Sequence, residues 1–191
     1  MSSVVNIVAV SSVTLKNTKI SLPELLKLDR HSPRTKRPYL AKYKTGRSRN
    51  KFSGFFIELT SATPTIFKSG KIIINGIKRT DHLVKIYDEM CQHLRENLPS
   101  DIDFDVHLPR VVNITGCRRT GKQIDLNKLA ENDACASYEP EIFPNVQYSV
   151  QDGLNVKGII SKSGCIVITG VTAVAELDRY LDKLQEIIQV Y

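Results

Sequence analysis

The sequence is poor in the features that announce a membrane protein, a secreted protein or an enzyme. None of its apolar runs approaches the roughly 20 residues that cross a bilayer, so a bundle of spanning helices is excluded and no membrane partner is expected. The first ten residues, MSSVVNIVAV, carry neither the basic lead nor the small-residue cleavage site of a secretory signal, and the expectation is a protein that stays inside the cell. Its four cysteines, Cys91, Cys117, Cys135 and Cys165, are scattered, with no C-x-x-C spacing and no histidine pair beside them. That argues for free thiols over a zinc site or a disulfide frame. His31, His82, His93 and His107 are equally dispersed, and no nucleophile, base and orienting carboxylate group themselves around any of them. Neither catalysis nor a cofactor is expected.

Acidic residues are missing from one stretch altogether. Between Arg30 and Lys51 the chain carries nine basic residues and no acid, while the net charge of the whole is +7, so everything outside the stretch sums to −2. A polyanionic partner would lean on the first half of the chain. The 41% apolar content over 191 residues is otherwise that of a globular protein able to bury its own core.

What the chain does have is a repeat. FKSGKIIINGIK at 67–78 returns as SKSGCIVITGVT at 161–172 with six identities in twelve, and VVNIVAV at 4–10 returns as VVNITGC at 111–117. Two copies of one unit are implied, 1–105 and 106–191. The interval from Asn6 to Ser69 is 63 residues and that from Asn113 to Ser163 is 50, so the first copy holds an insert, and the basic stretch at about 30–51 is where it falls.

Within each copy the Ser-Gly pair separates two apolar runs, the pattern of a tight hairpin. The segment 81–97 places Leu83, Val84, Tyr87, Met90, Cys91 and Leu94 at helical steps, and Val174, Leu177, Leu181, Leu184 and Ile188 do the same in the second copy. SLPE at 21–24 is a capping box with proline in the first turn and predicts a short helix. The strands around Ile72–Ile74 and Ile166–Ile168 are apolar at successive positions, yet the helices suffice to cover one face only. The other face is expected to be open, apolar and a binding surface.

These phrases together resemble the TATA-box-binding protein family over nearly the whole chain. YEPEIFP at 138–144 followed by SGCIVITG carries the resemblance most specifically, with the paired VNI openings at 5–7 and 112–114 and SGKIIING at 69–76. The resemblance implies an α+β fold: a two-repeat saddle with one curved antiparallel sheet and helices on the convex face. It implies that Asn6 and Asn113 sit at the centre of the open face, where an amide can donate to the A N3 and T O2 acceptors of the minor groove. Val8, Thr115, Ile73, Asn75, Val167 and Thr169 match the positions that line the groove floor, Asn75 standing where the family has threonine. Phe52, Phe67 and Phe143 match three of four phenylalanines that wedge between base steps, and the fourth position is Ser161. Lys51, Lys71 and Lys78 match cations near phosphates, and their second-copy counterparts are Ser149, Cys165 and Thr172.

Glu139, Glu141 and Ile142 match the residues that dock transcription factor IIB, acids being suited to a basic protein rather than to phosphate. The implied partners are A·T-rich promoter duplex DNA, a transcription factor IIB-like protein and the RNA polymerase machinery, with work in the nucleus or another intracellular site of transcription. A rival reading, GCRRTGKQ at 116–123 as a nucleotide-binding loop, fails at Gln123, where a hydroxyl is needed for the metal. Another alternative is an interaction adaptor that keeps the fold and the docking loop without TATA-type DNA binding.

Overall fold

The computed structural model describes residues 2–19, 22, 25, 54–57, 59–60, 62–67, 69–150 and 156–191. In chain order the elements are β1 (Ser2–Leu15), β2 (Gly54–Phe56), β3 (Thr63–Phe67), β4 (Lys71–Ile77), α1 (His82–Asn97), β5 (Phe104–Val106), β6 (Arg110–Arg119), α2 (Leu126–Asn132), β7 (Ala136–Ser137), β8 (Val146–Ser149), β9 (Lys157–Ile160), β10 (Cys165–Val171) and α3 (Val174–Ile188). No helix among the described residues is long and apolar enough to cross a membrane. The chain forms two compact units, Val8–Val111 and Met1–Ile7 with Val112–Tyr191, and β1 contributes residues to each.

In the unit Val8–Val111 the strands hydrogen-bond in the order β2, β3, β4, β1. The hairpin predicted at Ser69-Gly70 is present: β3 and β4 pair antiparallel from Thr63↔Asn75 to Ile66↔Ile72. Its turn closes where the Gly70 N–H donates to the Phe67 carbonyl at 2.9 Å. Gly70 takes φ +81°, and a Cβ built there would lie 2.3 Å from the Val13 carbonyl oxygen, so only glycine lets the turn lie against β1. The Val13 N–H donates in return to the Gly70 carbonyl at 2.9 Å. Ala9, Val13, Ile66, Ile72, Ile74 and Ile77 are buried, with Ile86, Met90 and Leu94 from α1. Val84, predicted for the buried stripe, is 66% exposed, and Ile86 takes its place. The strand β5, unforeseen in the sequence, pairs with the far end of β1 through Val13↔Val106, Thr14↔Asp105 and Leu15↔Phe104. Of the helix predicted at 21–24, Leu22 is helical and buried, as is Leu25 just beyond it. The remainder of that segment and the basic stretch 30–51 lie outside the described residues.

In the other unit the order is β1, β6, β10, β9, β8, β7. Its Ser-Gly turn repeats the first atom for atom: the Gly164 N–H donates to the Ser161 carbonyl at 2.9 Å, and the Thr120 N–H donates to the Gly164 carbonyl at 3.0 Å. Gly164 has φ +73°, and a Cβ there would lie 2.2 Å from the Lys122 carbonyl oxygen. The helix α3 lies against this sheet with Leu177, Tyr180, Leu181, Leu184 and Ile188 buried, whereas Val174, at its first position, is 37% exposed. Leu177 sits so close over β6 that a Cβ at Gly116 would meet its side chain at 2.3 Å. Arg118, on the same helix-covered side, donates to Asp182 Oδ1 at 2.5 Å and Gln185 Oε1 at 3.2 Å.

One irregularity shapes the open side. The β6–β10 ladder runs Ile168↔Gly116 and then Val171↔Ile114, so β10 spends three residues where β6 spends two. That extra residue is a β-bulge, and Gly170 occupies it with φ +100°.

Candidate functional site

Alternation within the strands separates a covered face from an open one. In β10, Ile166 and Ile168 are fully buried, while Cys165, Val167 and Thr169 remain half-exposed. In β6, Ile114 and Gly116 are buried, and Asn113, Thr115 and Cys117 are half-exposed. The strand β4 of the other unit behaves likewise: Ile72 and Ile74 are buried, Ile73 is half-buried, and Lys71 and Asn75 are exposed. The outward face was expected to be apolar and is instead mixed in both units: Ile73 shares it with Lys71 and Asn75, and Val167 shares it with Asn113, Thr115 and Thr169.

On the open face of β6 and β10, three side chains close a ring. Asn113 Nδ2 donates to Thr115 Oγ1 at 3.2 Å, the Thr115 and Thr169 hydroxyls are 3.0 Å apart, and Thr169 Oγ1 donates to Asn113 Oδ1 at 3.2 Å. Because the Thr169 proton is committed to Asn113, the Thr115 hydroxyl must donate to Thr169, and every donor points the same way round. The bulge adds a fourth contact, the Gly170 N–H donating to Asn113 Oδ1 at 2.8 Å. These bonds fix which end of the amide is oxygen. Oδ1 is doubly engaged from within the protein, and of the two Nδ2 hydrogens one goes to Thr115, leaving the other as the group this site can offer outward. A fixed donor on a half-exposed, helix-free surface is suited to an acceptor-rich edge.

The predicted residues fall as follows. Asn113, Thr115 and Thr169 are brought together, with Val167 two residues along the same face of β10. Asn6 and Val8 are half-buried in β1. Phe67 is half-buried at the end of β3, three residues before the turn glycine, and Lys78 is exposed just past β4. Lys51 and Phe52 lie outside the described residues. Phe143 is half-buried at the end of a tight turn, where its N–H and that of Ile142 both donate to the Glu139 carbonyl, at 2.8 and 2.9 Å. That turn holds Glu139 and Glu141 exposed and turns out Ile142, 79% exposed.

Ser161, where the family has a wedge, uses its hydroxyl locally, accepting from the Cys165 N–H at 3.0 Å and lying 2.9 Å from the Ser163 hydroxyl. The rival nucleotide-loop reading has no support in the backbone: Gly116 to Arg119 are strand, and α2 spans only seven residues behind its Asp125 cap. Sequence reasoning missed Gly170, whose contribution is a backbone N–H aimed by a bulge. The glycine itself, repeated at Gly76 with φ +85°, was the available signal.

A family model described as transcription factor TFIID (or TATA-binding protein, TBP) matches residues 108–191. The TATA-box-binding protein of Sulfurisphaera tokodaii is 32% identical over 136 residues, which cover 68% of this chain and 64% of that protein. TATA-box-binding protein 2 of Haloferax volcanii is 34% identical over 133 residues, 64% of this chain and 69% of that protein. The match therefore spans just under two thirds of the first relative's length. A solved structure, Methanococcus jannaschii TBP, shares the fold with a TM-score of 0.73 at 21% identity, over 100% of this chain and 99% of that one. Since the sequence likeness exceeds 30% identity across more than two thirds of a relative and the fold likeness runs the full length, the chain belongs to the TATA-box-binding protein family.

Proposed function

We propose that this protein is a non-catalytic general transcription initiation factor that binds A·T-rich promoter duplex from the minor groove and bends it. Its two copies, 1–105 and 106–191, each lay an open sheet face on the groove. Asn6 and Asn113 donate to base acceptors, and Val8, Ile73, Asn75, Thr115, Val167 and Thr169 line the floor. Phe67, Phe143 and Phe52 wedge base steps, and Lys51, Lys71 and Lys78 approach phosphates. Glu139, Glu141 and Ile142 receive a transcription factor IIB-like protein, through which the RNA polymerase machinery is recruited, in the nucleus or another intracellular site of transcription. One observation carries this reading: a locked Asn113 amide with its donor edge outward, since acceptors alone are what an A·T pair presents in the minor groove.

The test is an electrophoretic mobility titration of an A·T-rich duplex across salt. A linear fall of log affinity with log salt, and further weakening by Phe67→Ala, is the expected result. The adaptor reading draws on two observations, the self-engaged Ser161 and the exposed Ile142. Indifference to duplex at low salt, together with retained binding of a factor IIB-like protein, would select it.

A further inference from the structure

The matching positions of the two copies differ where the amide ring sits. Thr115 of the ring is matched by Val8, at the same offset that relates Asn113 to Asn6, so a hydroxyl is missing there. Thr169 is matched by Asn75, at the offset that relates Ser163 to Ser69. Thr169 is half-buried with its hydroxyl tied to Asn113 and Thr115. Asn75 lies opposite Thr63 on β4, exposed, on the same side of the strand as Ile73 and Lys71.

We infer that Asn75 makes the half of the DNA target held by the first copy tolerant of G·C pairs, while the ring around Asn113 keeps the other half restricted to A·T. This rests on the DNA-binding reading above. In the minor groove a G·C pair differs from A·T by the donor N2 amino group of guanine. At the ring, Asn113 Oδ1 is occupied by the Gly170 N–H and the Thr169 hydroxyl, so the amide offers a donor, and a guanine amino group would face it without a partner. An exposed asparagine amide has both ends to offer. By rotating about its last torsion, Asn75 accepts from guanine N2 or donates to A N3 and T O2.

The prediction has a particular form, because a protein with two unlike halves can turn round on a symmetric A·T duplex. A single G·C pair placed in either half is tolerated, since the protein orients Asn75 towards it. G·C pairs in both halves at once are not. The experiment titrates the full chain and its Asn75→Thr variant against three duplexes: all A·T, one G·C in one half, and one G·C in each half. For the natural sequence the affinity ratio of the all-A·T to the singly substituted duplex stays within about twofold, and double substitution lowers affinity by about tenfold or more. In Asn75→Thr the single substitution alone gives the tenfold loss. An unchanged ratio in Asn75→Thr, with DNA binding retained, overturns this inference and leaves the DNA-binding reading standing. Failure of the natural sequence to bind any of the three overturns both.

Discussion

The Gly170 N–H donates to Asn113 Oδ1 at 2.8 Å from a β-bulge, and this one backbone contact decides which end of the amide faces out. Asn113→Asp is nearly isosteric and keeps the acceptor that Gly170 needs, yet replaces Nδ2, with its outward donor, by a carboxylate oxygen, to which the Thr115 hydroxyl can turn and donate in place of the bond it received. Fold and thermal midpoint should change little, while affinity for an A·T duplex falls by about tenfold or more. Circular dichroism and duplex titration on the same sample check it. Equal losses of stability and affinity would contradict it.

Gly164 and Gly76 separate steric closeness from backbone strain. Both have positive φ, but a Cβ at Gly164 meets the Lys122 carbonyl at 2.2 Å, whereas one at Gly76 meets nothing within 4 Å. Gly76→Ala should cost only the left-handed penalty, about 1 kcal/mol. Gly164→Ala adds displacement of backbone and should cost roughly 3 kcal/mol. Denaturant midpoints of the two variants give the comparison.

Arg118 and Lys71 separate a structural cation from one available to phosphate. The Arg118 side chain is 14% exposed and committed to α3 through Asp182, while Lys71 is exposed at the start of β4. Arg118→Ala should lower stability by about 1–2 kcal/mol, leaving the salt slope of DNA binding as it was. Lys71→Ala should do the reverse, reducing that slope by about 1. Chemical denaturation and salt-dependent titration report the two quantities.

Tyr148 supplies a pH signature. Burial, and then the hydrogen bond from its hydroxyl to Asp133 at 2.9 Å, hold its phenol well above the ordinary tyrosine value. Because the folded pKa is raised, the unfolded chain ionises first. The stabilisation is complete below pH about 10 and is lost progressively as pH rises above it. Tyr148→Phe cannot ionise, so its denaturation midpoint should fall less steeply above pH about 10 than that of the natural sequence.

The parts of this fold that were legible in the sequence are those fixed within a few residues. Ser69-Gly70 and Ser163-Gly164 announced their turns because a left-handed residue is needed there and glycine supplies it. The two long helices, α1 and α3, were legible in extent, but Val84 and Val174 were misjudged, and the seven-residue α2 was not foreseen. Both valines stand in the first turn of their helices, where period alone cannot say which face looks to the sheet. The strand β5 was illegible because three residues carry no period, and its existence depends on pairing with Val13 to Leu15 some ninety residues away. In the candidate site, Asn113, Thr115 and Thr169 were each marked one by one through the family resemblance, whereas the ring that joins them was not legible. Its geometry comes from the one-residue surplus in β10, and a surplus is visible only once the facing strand is known.

The strict exchange of sides along β10, Ile166 and Ile168 beneath α3 with Val167 and Thr169 outside, has an evolutionary corollary. Ahead of the bulge, gain or loss of a single codon between Ile166 and Ile168 would put the two on opposite faces, one of them in solvent. Point replacement carries no such penalty, so β4 and β10 could drift apart in the side chains they present outward while each remains a strand of seven residues.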